Sequence, residues 1–250
     1  VKIKNDSRGS MAFGKIVGKG GLNLVDEDCL AGAIEKIAKL SEVEQPRFLT
    51  LEGRDERAFI GGADLKVLRS LNPKSAQDFI GHVHQFCKAI RRADFPVIAK
   101  LKGYCLGAGM EIAASCDIRV GDYSVKCGMP EVRVGVPSVV EAALLPGLIG
   151  WGKAREIMLR GNIFGSEEAL SMNFLQSLAK EADLESICKD IEKDILLGGR
   201  RAITLQKELF NSWDQMSVED GVKEGIRVFS ESYQSEEPKA MIDRFFSGKA

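Results

Sequence analysis

Residues 96–131 read PVIAKLKGYCLGAGMEIAASCDIRVGDYSVKCGMPE, and both the fold and the chemistry turn on this stretch. It opens with a β-rich run, Pro96 to Leu101, and breaks at Gly103 and again at Gly107-Ala108-Gly109. A helix follows from Met110 to Cys116, where Ala-Ala-Ser allows close packing on neighbouring elements. Glu111 falls in its first turn, three residues after Ala108, so its carboxylate and the Ala108 backbone N–H can face one small volume. Amides at a helix start lack intrahelical acceptors and attract negative charge. They therefore suit an oxygen that becomes anionic during a reaction.

Upstream, Ala12 to Val17 reads as a strand, and Leu30, Ile34, Ile37 and Leu40 recur at helical spacing behind the acids Asp26, Glu27 and Asp28. Arg47 to Leu51 is a second strand, and this strand-helix-strand unit predicts a parallel sheet with a right-handed crossover. The segment Glu52 to Leu65 starts as a polar loop and ends in the glycine turn Gly61-Gly62, whose backbone freedom leaves amides open to a ligand. Read alone, that segment is equally a plain loop with Asp64 as a helix cap. Pro73 introduces a helix to Arg92 that buries Phe79, Val83, Phe86 and Ile90, and Phe95-Pro96 stops it. Two strand-to-helix turns on one parallel sheet bring their amides to one edge, which is where ligands collect in such folds. That convergence joins Gly61 to Ala108.

Downstream, Ile118 to Val120 and Ser124 to Cys127 are short strands, and Gly128-Met129-Pro130 turns the chain before Glu131. Helices are expected over Glu141 to Ile149, Trp151 to Arg160 and from a Ser166 cap. From Asp183 the pattern is helical, with breaks at Gly198-Gly199, near Ser217 and at Pro238. The simplest division is a core, residues 1–182, and a helical C-terminal region, 183–250.

The 250 residues carry 35 Lys and Arg against 36 Asp and Glu, so no net basic field favours nucleic acid. Six scattered cysteines without paired spacing, and no secretory signal, favour reduced buried thiols and a cytoplasmic protein over disulfides or a zinc site. His82 and His84 point to different helix faces, so no shared metal is expected. No apolar run is long enough to cross a bilayer. Val1 in place of Met leaves room for a removed leader.

Several motifs in order resemble the crotonase family, the enoyl-CoA hydratase and isomerase superfamily. The segment AFIGGADL, Ala58 to Leu65, is similar to its first oxyanion loop, and GYCLGAGMEIAASCD to its second loop and helix. GMPEVRVGVP resembles the segment with the second acid, and LLPGLIGWGKAREIMLRGNIFGSEEAL the helices beyond.

The resemblance implies an α/β spiral of strand-strand-helix repeats with a helical C-terminal trimerisation region, assembled as a homotrimer or dimer of trimers. It implies an acyl-CoA thioester substrate, with CoA arriving as part of the substrate and no separate cofactor. The Gly61 and Ala108 amides would hold the thioester oxygen, and Glu111 and Glu131 would be the hydratase acids. Ala58, Ile60, Ala63, Asp64 and Leu65, with Leu106, Gly107 and Pro130, would line the substrate and CoA site.

Without the family pattern, Glu111 reads as a first-turn acid favoured by the dipole and Glu131 as a surface loop carboxylate. The chain departs from the family at Ser138-Val139-Val140-Glu141, where typical hydratases carry a glycine-rich run one residue longer. Branched Val139 and Val140 are expected to shrink or reshape the acyl pocket, and Glu141 to be a first-turn helix acid. The expected activity is enoyl-CoA hydration. Double-bond isomerisation, another acyl-CoA lyase or hydrolase reaction, and an idle acyl-CoA-binding subunit are the alternatives on the same scaffold. A dinucleotide site fails on spacing, because Gly103, Gly107 and Gly109 do not give G-x-G-x-x-G.

Overall fold

Along the chain of the computed structural model, which describes residues 1–248, the first half alternates strands and helices. These are β1 (Lys2–Asp6), β2 (Gly9–Ile16), α1 (Glu27–Lys39), β3 (Leu49–Gly53), β4 (Ala58–Ile60), α2 (Leu65–Ser70), α3 (Pro73–Arg92), β5 (Val97–Leu101), β6 (Tyr104–Leu106) and α4 (Ala108–Ser115). There follow β7 (Ile118–Asp122), β8 (Lys126–Gly128), α5 (Leu145–Ile149), α6 (Trp151–Arg160), β9 (Ile163–Gly165), α7 (Ser166–Ser171) and β10 (Ser177–Ala179). The chain closes with α8 (Glu181–Leu197), α9 (Arg200–Trp213), α10 (Val218–Ser232) and α11 (Glu237–Phe246).

Two sheets result. The larger has six strands in the order β1-β2-β3-β5-β7-β10, parallel except for the β1–β2 hairpin. The smaller has four, β4-β6-β8-β9, with β4, β6 and β8 parallel. The chain passes from the large sheet to the small one at β3–β4, β5–β6 and β7–β8, and each return carries helix. This is the strand-strand-helix spiral that the resemblance implies. Both glycine turns leave strands of the small sheet, which the sequence reading merges into loops: three-residue strands are too short for a two-residue alternation to register.

Helix α3 illustrates how local chemistry fixes the frame. Asn72 Oδ1 accepts from the backbone N–H groups of Lys74 and Ser75 at 3.0 and 3.1 Å, and Ser75 Oγ returns a bond from the Asn72 N–H at 2.9 Å. Pro73 needs no such partner, having no N–H. The helix buries Phe79, Val83, Phe86 and Ile90 in the main core, each worth about 2 kcal/mol in area removed from water. The expected Ser166 cap is displaced by one: Gly165 is the cap and no side chain bonds the first amides of α7.

Within residues 183–250, two parts are held differently. Helix α8 packs on the large sheet, its Leu184, Cys188 and Leu196 sharing a core with Phe48, Ile98 and Val120. Helices α9 and α10 form a small core of their own around Leu205, Leu209 and Val228. A buried lysine helps to tie α9 to the main body. Lys207 Nζ donates to the Ile90 and Phe95 carbonyls at 3.0 and 2.9 Å and to Asp117 Oδ2 at 2.7 Å, and that same oxygen accepts the Val97 N–H at 2.7 Å. No helix among the described residues is long and apolar enough to cross a membrane.

Candidate active site

Helix α4 places the first acid. Gly107 is its N-cap, held at φ +52, and Ala108 to Ser115 are all buried. Glu111 is 3% exposed, and its Oε1 accepts the Ala142 backbone N–H at 3.2 Å. Burial, then the negative charge of Glu131 and more weakly that of Glu141, push its carboxyl up to about 8, against the pull of the Ala142 and Val139 amides.

Glu131 lies in a 3-10 turn, Pro130–Val134, and its Oε2 accepts from Ser138 Oγ at 2.9 Å. Burial raises it above the usual carboxylate range, while its own amide and the Ser138 hydroxyl oppose the rise. The two acids are joined through Gly107. A Cβ there would lie 2.5 Å from Glu131 Oε1, so a side chain at the residue that opens the Glu111 helix would push the second acid aside, at a φ that itself favours glycine.

The amides are disposed differently from the sequence expectation. Ala108 is the first residue of α4 and no backbone acceptor among the described residues meets its N–H, as helix geometry requires. Gly61, the other expected donor, gives its N–H to the Leu22 carbonyl at 2.8 Å and so has no proton to offer a ligand. Two residues on, the Gly62 carbonyl accepts from Val25 N–H at 3.0 Å and the Asp64 N–H reaches the Val25 carbonyl at 3.3 Å. All peptide bonds described are trans, so the Ala63 N–H points opposite to the Gly62 carbonyl, away from Val25. It meets no backbone acceptor among the described residues. The free amide of the first turn is therefore that of Ala63, displaced from Gly61 because the 22–25 segment runs beside the turn and takes alternate groups.

Both turns and both acids border one cavity of about 680 Å³. Its wall includes Gly61, Ala63, Ala108, Glu111 and Glu131, and also the expected Asp64, Leu65, Leu106, Gly107 and Pro130. Ala58 and Ile60 stand outside the wall, wholly buried in β4. Asp64 is engaged as the cap of α2, accepting the Lys66 N–H at 2.9 Å. Phe79, Ile80 and Val83 of α3 face Val136 and Val139 across an apolar interior, and Lys66 and Arg133 are the cations on the wall. Of the two valines expected to reshape the pocket, Val139 lies on the wall and Val140 does not. Val140 sits at φ +39, a left-handed conformation that a β-branched residue adopts only under strain.

Sequence reasoning passes over three supports. Asn23, fully buried, donates to the Ile16 and Phe59 carbonyls at 3.0 and 2.6 Å and accepts the Gly18 N–H at 2.7 Å, fixing the segment that occupies Gly61. Ser138 holds Glu131, and its only signal is adjacency to the departure from the family run. His84 and Glu141 meet at 2.8 Å, 57 residues apart in sequence, and no spacing rule links them.

Known proteins resemble this chain over nearly its whole length. A family model described as enoyl-CoA hydratase/isomerase matches residues 18–248. The short-chain-enoyl-CoA hydratase of Clostridium acetobutylicum is 25% identical over 241 residues, covering 96% of this chain and 92% of its own. The crotonyl-CoA hydratase of Syntrophomonas wolfei is 24% identical over 225 residues, 90% and 86% of the two chains. Among solved structures, an enoyl-CoA hydratase from Thermoplasma volcanium superposes with TM-score 0.86 at 26% identity, over 98% of this chain and 96% of that one.

Proposed function

The chain belongs to the enoyl-CoA hydratase/isomerase family, and from that premise we propose that it hydrates the 2,3 double bond of an enoyl-CoA thioester. The observation that carries this reading is the meeting of two raised carboxyls, Glu111 and Glu131, with two unengaged amides, Ala63 and Ala108, on the wall of one apolar cavity.

The thioester oxygen takes the two amides, which act on the negative charge that develops as the enolate forms. One such donor is worth about 3 kcal/mol of barrier. Glu111 takes a proton from the water attacking Cβ, and Glu131 delivers one to Cα. Lys66 and Arg133 suit the phosphates of CoA, and the apolar interior suits the acyl chain. The C-terminal helices leave Phe210, Phe229, Phe245 and Phe246 more than half exposed, an apolar surface that further copies of the chain would cover in a trimer or a pair of trimers.

Hydration uses the pair of carboxyls holding one proton between them, and attack proceeds from the form in which that proton sits on Glu131. With two protons there is no base, and with none there is no acid. The more basic member, Glu111, gives up the last proton near its value of about 8, so kcat/KM is expected to fall as pH rises through that region.

The deciding experiment incubates the protein with crotonyl-CoA and with a 3-enoyl-CoA and follows the conjugated absorbance. Loss of absorbance with the first supports hydration. Gain with the second and no change with the first assigns double-bond migration instead.

A further inference from the structure

Off the cavity wall lies a third carboxylate that the mechanism above does not use. Glu141 is 4% exposed, and His84 Nδ1 lies 2.8 Å from its Oε1. Its other oxygen, Oε2, is buried and meets no protein donor among the described residues. It stands next in sequence to Ala142, whose N–H is spent on Glu111 Oε1 at 3.2 Å, and next to the strained Val140. The turn that carries it packs against α3, α4 and α5. From α3 it faces His84 and Cys87, and from α4 Glu111; α5, Leu145–Ile149, brings no charged side chain. His84 is the one partner with access to water, its side chain being 49% exposed.

We propose that Glu141, clasped by His84, is a positioning residue that sets the charge on Glu111 and with it the pH range in which the Glu111–Glu131 pair keeps the single proton used in hydration. Two carboxylates in an apolar interior oppose each other's ionisation, and a polar contact that compensates one of them relieves the other. His84 reaches solvent whereas Glu141 is buried, so the imidazole on Oε1 is the polar contact that compensates the Glu141 charge felt at Glu111. Cys87, whose thiol burial and the fields of Glu141 and Glu111 hold well above its usual range, stays neutral between them. The link to catalysis rests on the hydratase reading, whereas the coupling of charges does not.

The test separates the two. Glutamate carboxyls are labelled with carbon-13, the Glu111 resonance is assigned by its loss in Glu111→Gln, and its titration is followed by NMR in the wild type, Glu141→Gln and His84→Gln without substrate. Removing the negative charge in Glu141→Gln moves the Glu111 titration to lower pH, giving about tenfold more carboxylate at a fixed pH below the midpoint. Removing the imidazole contact in His84→Gln leaves the Glu141 charge less compensated and moves the titration to higher pH. The falling limb of kcat/KM for crotonyl-CoA moves with each, while KM stays within about twofold. A merely structural role lowers activity in both variants without moving the titration, and an unmoved Glu111 resonance in both overturns the proposal. Should Glu141→Gln fail to fold, His84→Gln at its half-exposed site decides alone: a shift to higher pH upholds the proposal and an unmoved titration ends it. If the resonance shifts as stated while the wild type hydrates no enoyl-CoA, the coupling stands and the hydratase reading falls.

Discussion

The turns after β4 and β6 look alike in sequence and work by different physics. In the second, Gly107 caps a helix and the Ala108 amide is free because every α-helix leaves its first amides without acceptors. In the first, no such rule applies. Which amide is free depends on a neighbour: Leu22 takes the proton of Gly61, Val25 pairs with Gly62 and Asp64, and Ala63 is left over. An amide freed by local structure can be read from the residues around it, whereas one freed by alternation beside a distant segment cannot. The two turns touch at Gly109, where a Cβ would overlap the Ile60 carbonyl oxygen, so their separation is fixed by the absence of a side chain.

The largest effect expected on this comparison comes from the acids attached to the second turn. Glu111→Gln and Glu131→Gln are each expected to lower kcat for crotonyl-CoA about 10²- to 10⁴-fold. Gly107→Ala, which drives a methyl group against Glu131 at a φ that favours glycine, should match Glu131→Gln in a steady-state assay. Wild-type rates in any of these would remove the second turn from the chemistry.

Next come the amides themselves. Replacing the peptide N–H by an ester oxygen, through incorporation of an α-hydroxy acid, should cost about 10²- to 10³-fold in kcat at position 63 and at position 108 alike. Equal losses confirm that two unlike turns aim at one oxygen, and a loss at position 108 alone breaks the pairing.

A smaller effect concerns stability. The folded chain holds a proton on Glu111 that the unfolded chain releases above the ordinary value of 4.5, so stability contributed by this site declines as pH rises from there to about 8. Glu111→Gln should remove that decline and raise stability at pH 7 by about 1–3 kcal/mol, read from denaturant unfolding at several pH values. The smallest effect belongs to Gly61. An ester there removes the bond to Leu22 and should cost about 1 kcal/mol of stability while leaving kcat near wild type. A hundredfold loss in kcat would restore Gly61 as a donor.

The same contrast accounts for what the sequence makes legible. Helix α3, with its proline start and buried stripe at helical spacing, and α6, Trp151–Arg160, are read at their observed bounds because their signals are local and repeated. Strands β4, β6, β9 and β10 have three residues each and exist because of their neighbours, so periodicity misses them. In the site, family motifs carry Glu111 and Glu131 to the cavity wall, although neither would stand out alone. Glu141 shows the opposite failure: a first-turn position offers a sufficient local explanation, and only its burial against His84 gives it a second one.

Lys207 reaches from α9 to the carbonyl that ends α3, to the loop before β5 and to the carboxylate that orients the first amide of β5, the strand that feeds the turn at Gly107. A truncation ahead of that lysine would take a buried donor from Asp117 and two carbonyls beside the strand that leads to Gly107, so shortening the polypeptide from this end is a poor engineering route. Tags and fusions belong after α11, whose Glu237 accepts the Arg201 and Ala202 amides at the start of α9.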